Sequence, residues 1–182
     1  MILRTNRLIL RPWREEDLPL VAEFTSDPEV MRFFHLTRTR AQSDAWVART
    51  QAHLDAHGFG LLAVEVPGVS PFIGFVGLST VPDSVPCAPA VEAVWTLGRP
   101  YWQQGYCTEA ARAIMTDGFT RLGLSEIVAM TAEANLPSQA VMRKLGMIRD
   151  MDADFGHPFV PKLHEMYRHV LYRLPRASGV ES

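Results

Sequence analysis

The run YWQQGYCTEAA, residues 101–111, constrains this chain more than any other stretch. A strand-like segment at 90–97 (AVEAVWTL) runs into a turn built round Gly105, and the turn opens straight into a helix of small and apolar residues. The first amides of a helix have no partner inside it and carry partial positive charge. Such a corner can cradle a phosphate or diphosphate. A glycine there lets the backbone come close to a ligand, because no side chain intervenes. Taken alone, one glycine turn is equally an ordinary strand–turn–helix corner.

Composition narrows what the corner can serve. A chain of 182 residues suits one domain, here expected over 1–174, with a flexible tail (PRASGVES) over 175–182. Hydrophobic residues at 47% and charged residues at 21% are ordinary for a globular protein. The net charge of -2 argues against nucleic acid as a partner. No stretch is long and apolar enough to span a bilayer. The opening MILRTNRLILRPW alternates and carries Arg4, Arg7 and Arg11, so it reads as a first strand and not as a signal peptide. Two cysteines, Cys87 and Cys107, without a secretory signal fit a reducing, cytoplasmic setting. His157, His164 and His169 show no metal-ligand spacing, so no metal is expected.

The remaining pattern alternates strands and helices. Strands are expected at 5–12, 59–66, 72–80, 90–97, 125–132, near 147, and at 166–174. Helices are expected at 15–25, from Ser26-Asp27-Pro28 onward, from the Thr39/Gln42 capping pair to His57, at 108–122, and from Asn135 to Gly146. Residues 152–165 (DADFGHPFVPKLHE) read as a loop. The order implies an α/β (α+β) sandwich round one mixed sheet of about seven strands, with helices on both faces, and not a doubly wound nucleotide fold.

Four segments in this order resemble the GNAT superfamily of N-acetyltransferases, and within it the RimJ/RimL-type branch. They are the opening RLILRPWREEDLPLV, the run YWQQGYCTEA, the later ANLPSQAVMRKLGM and the ending RHVLYRL. The family's Q/R-x-x-G-x-G/A turn corresponds to residues 102–107, with Trp102 where Gln or Arg is usual and Cys107 where Gly or Ala is usual. The resemblance implies the GNAT acyl-CoA N-acyltransferase fold, acetyl-CoA as co-substrate and an amine as acceptor. It implies cofactor contacts from Trp95, Leu97, Gln103, Gln104, Gly105, Tyr106, Cys107, Thr108, Asn135 and Ser138. It makes Glu92 the general base, and gives Ser138 a role at the departing sulfur, because Met142 stands where many relatives carry a tyrosine acid.

Each assignment has a plainer alternative. Glu92 sits among Val91, Ala93 and Val94 and can be an exposed strand carboxylate; partial burial would instead raise its pKa toward a working range. Asn135 and Ser138 can be helix caps, in addition to or instead of cofactor ligands. Phe33, Phe34, Trp46, Asp154 and His157 are candidates for the acceptor pocket, or else core and surface residues. Cys107 at a helix start is a conceivable nucleophile. The acceptor stays open among protein N-termini, polyamines, amino acids and aminoglycosides. A non-catalytic acyl-CoA-binding sensor or scaffold of the same fold is the rival function. Base rate alone favours a homodimer.

Overall fold

The computed structural model describes residues 1–34 and 36–177. Short apolar runs at the N-terminus form β1 (Leu3–Arg4) and β2 (Ile9–Arg11), folded back on each other by a turn that Thr5 ties through its hydroxyl to Leu8 N–H at 2.9 Å. Then come α1 (Asp17–Ser26) and α2 (Arg40–His57), the latter opened by the Thr39/Gln42 capping box and closed by left-handed Gly58. The strands β3 (Leu61–Val66), β4 (Ser70–Thr80) and β5 (Val91–Leu97) follow. A 3-10 turn (Arg99–Tyr101) leads into α3 (Tyr106–Thr120), then β6 (Glu126–Ala132), α4 (Leu136–Lys144), β7 (Ile148–Gly156) and β8 (Arg168–Pro175).

The strands make one eight-stranded sheet in the order β1-β2-β3-β4-β5-β6-β8-β7. Only β5 and β6 run parallel, joined by the crossover through α3. Alternation along the strands divides the core. Leu62, Val64, Val76, Ala93 and Leu97 face α3 and α4, meeting Ala111, Ile114, Met115 and Met142. Ala63, Phe72 and Phe75 face α1 and α2, meeting Val21, Phe24 and Val47. Glu92, Val94 and Thr96 point to this second face, opposite Ser79, Gly77 and Phe75.

Three sequence expectations change. The single strand over 5–12 is a pair, because the Thr5 turn breaks it. No helix starts at Ser26-Asp27-Pro28: Asp27 Oδ1 accepts Glu29 N–H at 2.8 Å and closes a local turn that does not propagate. The expected loop at 152–165 gives its first residues to β7, a partner of the last strand with a register shift between Asp150 and Phe155. The short strand expected near 147 is therefore longer than its sequence suggests, because its acids alternate poorly with apolar residues; Asp150 and Asp154 are held by Arg173 and Arg149 instead. The tail expected over 175–182 lies outside the described residues from 178 onward.

Candidate functional site

The parallel pair is where the sheet opens. β5 and β6 meet only at Glu92 and Val128, and then each continues to Leu97 and Ala132 without its neighbour. Gly98 N–H bonds Ile73 O on the β4 side. Extended backbone alternates, so the main-chain groups of Val94 and Thr96 also turn to β4, and those of Trp95 and Leu97 turn into the gap. Leu97 O is taken by the Trp102 indole N–H at 2.5 Å. The Trp95 and Leu97 N–H groups are left facing the opening.

The corner at residues 103–108 closes one end of that gap. Gln103 has φ 60 and Gly105 φ 82, two left-handed residues that turn the chain into α3 without a side-chain cap. Among the described residues no backbone carbonyl takes the N–H groups of Gln103, Gln104, Gly105, Tyr106, Cys107 or Thr108. These are the free donors that the helix start leaves. Sequence inspection missed what steadies them. Arg7 donates Nε to Glu109 at 2.7 Å and Nη1 to Gln104 O at 3.0 Å, and lies 4.5 Å over the Tyr106 ring. Thr5 adds its hydroxyl to Glu109 at 2.6 Å. The N-terminal hairpin thus clamps the corner from about a hundred residues away, a link that no local sequence signal carries. Gln104 folds its amide back to Pro100 O at 2.6 Å, while Gln103 is exposed. Gly105 and Thr108 open onto a groove of ≈ 840 Å³ that runs along α3 past Arg112 to Lys144.

Glu92 is half-buried on the α1/α2 face, and no hydrogen bond or ion pair from a described residue reaches its carboxylate. Burial alone pushes its pKa up to about 7. On the other face of β5, the Trp95 indole N–H spans the opening to Ser138 Oγ at 3.1 Å. Because Ser138 Oγ accepts there, its own proton stays available to donate. Asn135 caps α4, with Oδ1 accepting Ser138 N–H at 3.2 Å, and Nδ2 donates to Thr131 at 2.9 Å. Its amide keeps one further donor and acceptor site. Met142 is a core residue, 1% exposed. The Cys107 thiol is pushed up to about 12 by burial, which removes the thiolate a nucleophile needs.

The aromatic candidates gather on the face of Glu92. Trp46 packs against Phe75 at 4.8 Å and Trp13 at 5.5 Å between ring centres. Phe33 joins Ala132, Val160, Met166 and Tyr167 at the end of β6, while Phe34 is exposed. His157 lies 4.5 Å from His169, whose pKa falls to about 4 through burial and through His157. Asp154 is bound by Arg149 at 2.6 Å. Among the described residues no group of three metal-type ligands converges, and no helix is long and apolar enough to cross a membrane.

Residues 7–148 match the family model described as the acetyltransferase (GNAT) domain. The Bacillus subtilis N-acetyltransferase YnaD is 29% identical over 178 residues, covering 96% of each chain. A GNAT-family acetyltransferase from Bacillus anthracis superimposes with a TM-score of 0.79 at 25% identity, over 96% of this chain and 98% of that one. RimL, a ribosomal L7/L12 alpha-N-protein acetyltransferase solved in complex with coenzyme A, shares the fold, with a TM-score of 0.77 at 15% identity over 96% and 98% of the two chains.

Proposed function

The chain belongs to the GNAT family of acetyltransferases, and from that premise we propose that it moves an acetyl group from acetyl-CoA directly to a primary amine, with Glu92 as general base. The observation that carries this reading is the carboxylate of Glu92, unpaired among the described residues and with a pKa near 7, where β5 and β6 part. The residues present suit the co-substrate. Free N–H donors at 103–108 match a diphosphate, and the gap between β5 and β6 offers Trp95 and Leu97 to an amide-rich arm. RimL, of the same fold, was solved with coenzyme A.

Acetyl-CoA supplies the acetyl group as a reactive thioester. Glu92, ionised above pH 7, takes a proton from the incoming ammonium, directly or through water. The Trp95 N–H polarises the carbonyl oxygen as charge builds on it. As the C–S bond breaks, Ser138, already accepting from Trp95, hydrogen-bonds the departing sulfur and relays to it the second proton shed by the amine nitrogen. The positive end of α4 stabilises the negative charge that builds on that sulfur before the proton arrives.

Thermal shift is the direct test: coenzyme A and acetyl-CoA at saturating concentration should each raise Tm by several degrees. Thiol release with a panel of amines then separates transfer from the rival scaffold role, which binds without turnover. No shift with either ligand overturns both. Arg7→Ala should loosen coenzyme A about tenfold, as expected for removing a charge-assisted anchor of the corner. Pantetheine, which lacks the diphosphate, should bind both proteins equally in calorimetry.

A further inference from the structure

We propose that the acceptor is an amine that also carries a carboxylate, and that this carboxylate seats on Arg38 at the mouth of the cleft. The proposal rests on the acetyl-transfer reading and extends it to the class of acceptor. Arg38 stands just ahead of α2, half-buried, with its guanidinium 5.0 Å from the centre of the Trp46 ring. A guanidinium offers five N–H donors. No carboxylate, carbonyl or hydroxyl among the described residues takes any from Arg38. Burial and the neighbouring Arg49 both lower its pKa, so the charge is held at a cost that a bound anion relieves.

Phe24, Arg32 and Phe33, which precede Arg38 in the chain, lie at the open end of the splayed strands. Phe24, at the end of α1, is the side chain nearest Gly98, which follows β5, after Tyr101. Arg32 lies 5.5 Å over Trp102, beside the corner, while its neighbour Phe33 packs at Ala132, where β6 ends. Arg38 N–H then returns to Thr25 O at 2.9 Å. Trp46, beneath Arg38, packs with Phe75 and Val94 in one cluster, and Phe75 stands opposite Thr96. Thr96 Oγ1 is buried with no partner. A path thus runs from Glu92 along Val94 and Thr96 to Trp46 and Arg38, on one face of β5.

Asp27 and Glu29, earlier on the segment, have no ion pair among the described residues, but the other acids on this side are held by arginines. Asp44 is paired with Arg40, Asp154 with Arg149, and Glu133 with Arg168. Arg32, Arg38 and Arg49 have no ion pair among the described residues. His157 and His169 bring no acid, and His169 is neutral at pH 7. Arg38, the half-buried one of the three, is therefore the cation placed to receive an anion from the acceptor. The planar fork of arginine suits a carboxylate. The strand from Glu92 to Thr96 is about 13 Å long, so an acceptor that reaches along it toward Trp46 and Arg38 carries its amine and carboxylate several bonds apart and not on one carbon. A small ω-amino acid or a peptide N-terminus followed by an acidic side chain both meet that description.

The test uses the full chain, acetyl-CoA and matched acceptors. One arm compares ω-amino acids, from β-alanine to 6-aminohexanoate, with their primary amides; the other compares Ala-Asp-Ala-amide with Ala-Asn-Ala-amide. In at least one arm the carboxylate member should show kcat/KM about tenfold to a hundredfold higher, carried by KM. Arg38→Gln should erase that preference and Arg38→Lys restore part of it, while the coenzyme A thermal shift persists in both and reports an intact fold. Equal turnover of the paired members, turnover of cationic amines only, or a preference that survives Arg38→Gln overturns the proposal. So does coenzyme A binding without turnover of any carboxylate-bearing amine. Failure of the wild type to bind coenzyme A overturns the acetyl-transfer reading itself.

Discussion

Glu92→Gln should lower kcat by about 10²- to 10⁴-fold, the range lost when a positioned general base is removed, while coenzyme A still raises Tm as in the wild type. The pH dependence makes the test specific. With the Glu92 pKa near 7, the base is protonated and idle at pH 5.5 and ionised at pH 8. The ratio of wild-type to variant rate, which cancels the amine's own titration, should climb about tenfold per unit below pH 7 and flatten above it. A variant within about threefold of wild type, or a ratio that ignores pH, removes Glu92 from the mechanism.

The same carboxylate should weaken the fold. Its pKa is raised from 4.5 in the unfolded chain to about 7 in the native one. A raised pKa contributes stability that is fully present below about 4.5 and lost as pH rises through about 7. At pH 8 the wild type therefore carries a half-buried charge that glutamine lacks, worth up to roughly 2–3 kcal/mol. Glu92→Gln should melt several degrees above wild type at pH 8 and close to it at pH 4.5. A loss of activity together with a pH-dependent gain in stability is the mark of a group held ready for chemistry.

Residues whose neighbours are close in sequence were legible. Gly105, the Thr39/Gln42 box and the Asn135 cap announce themselves within four residues, and all stand where expected. Glu92 was legible as a charge stranded among apolar residues. The parts that escaped depend on distant partners. Arg7 reads as one of several N-terminal arginines until Glu109 is brought to it. The bridge from Trp95 to Ser138 joins β5 to α4. Segment 27–34 carries helix-start signals, but Arg32 and Phe33 find ring partners on opposite sides of the gap and Asp27 caps only one turn. β7 was legible only as a short strand near 147; its reach to Gly156 escaped because ion pairs with β8 replace the apolar alternation that marks a strand.

The largest effect on stability is expected away from the cleft, at Asp17. Arg11 and Asp17 are 2% and 1% exposed and pair through two bonds of 2.7 and 2.9 Å. Arg11 also reaches Glu65 at 2.9 Å and Pro71 O at 2.7 Å, and Asp17 accepts Arg14 N–H at 2.8 Å. This one guanidinium fastens the start of α1 to β2, β3 and the start of β4, and so fixes the helix that leads to the mouth of the cleft. Asp17→Ala leaves a buried cation with a single, partly exposed acid, and should cost about 3–5 kcal/mol. For a chain of this size that is a fall in Tm of roughly 10 °C. The pair itself need not be a net stabiliser, because burying both charges is expensive. Arg11→Met with Asp17→Leu should therefore melt well above Asp17→Ala alone. Urea unfolding of the three proteins decides it: a midpoint unmoved by Asp17→Ala, or a double variant weaker than the single one, would mean that Arg11 is satisfied by Glu65 and the main-chain carbonyls without Asp17.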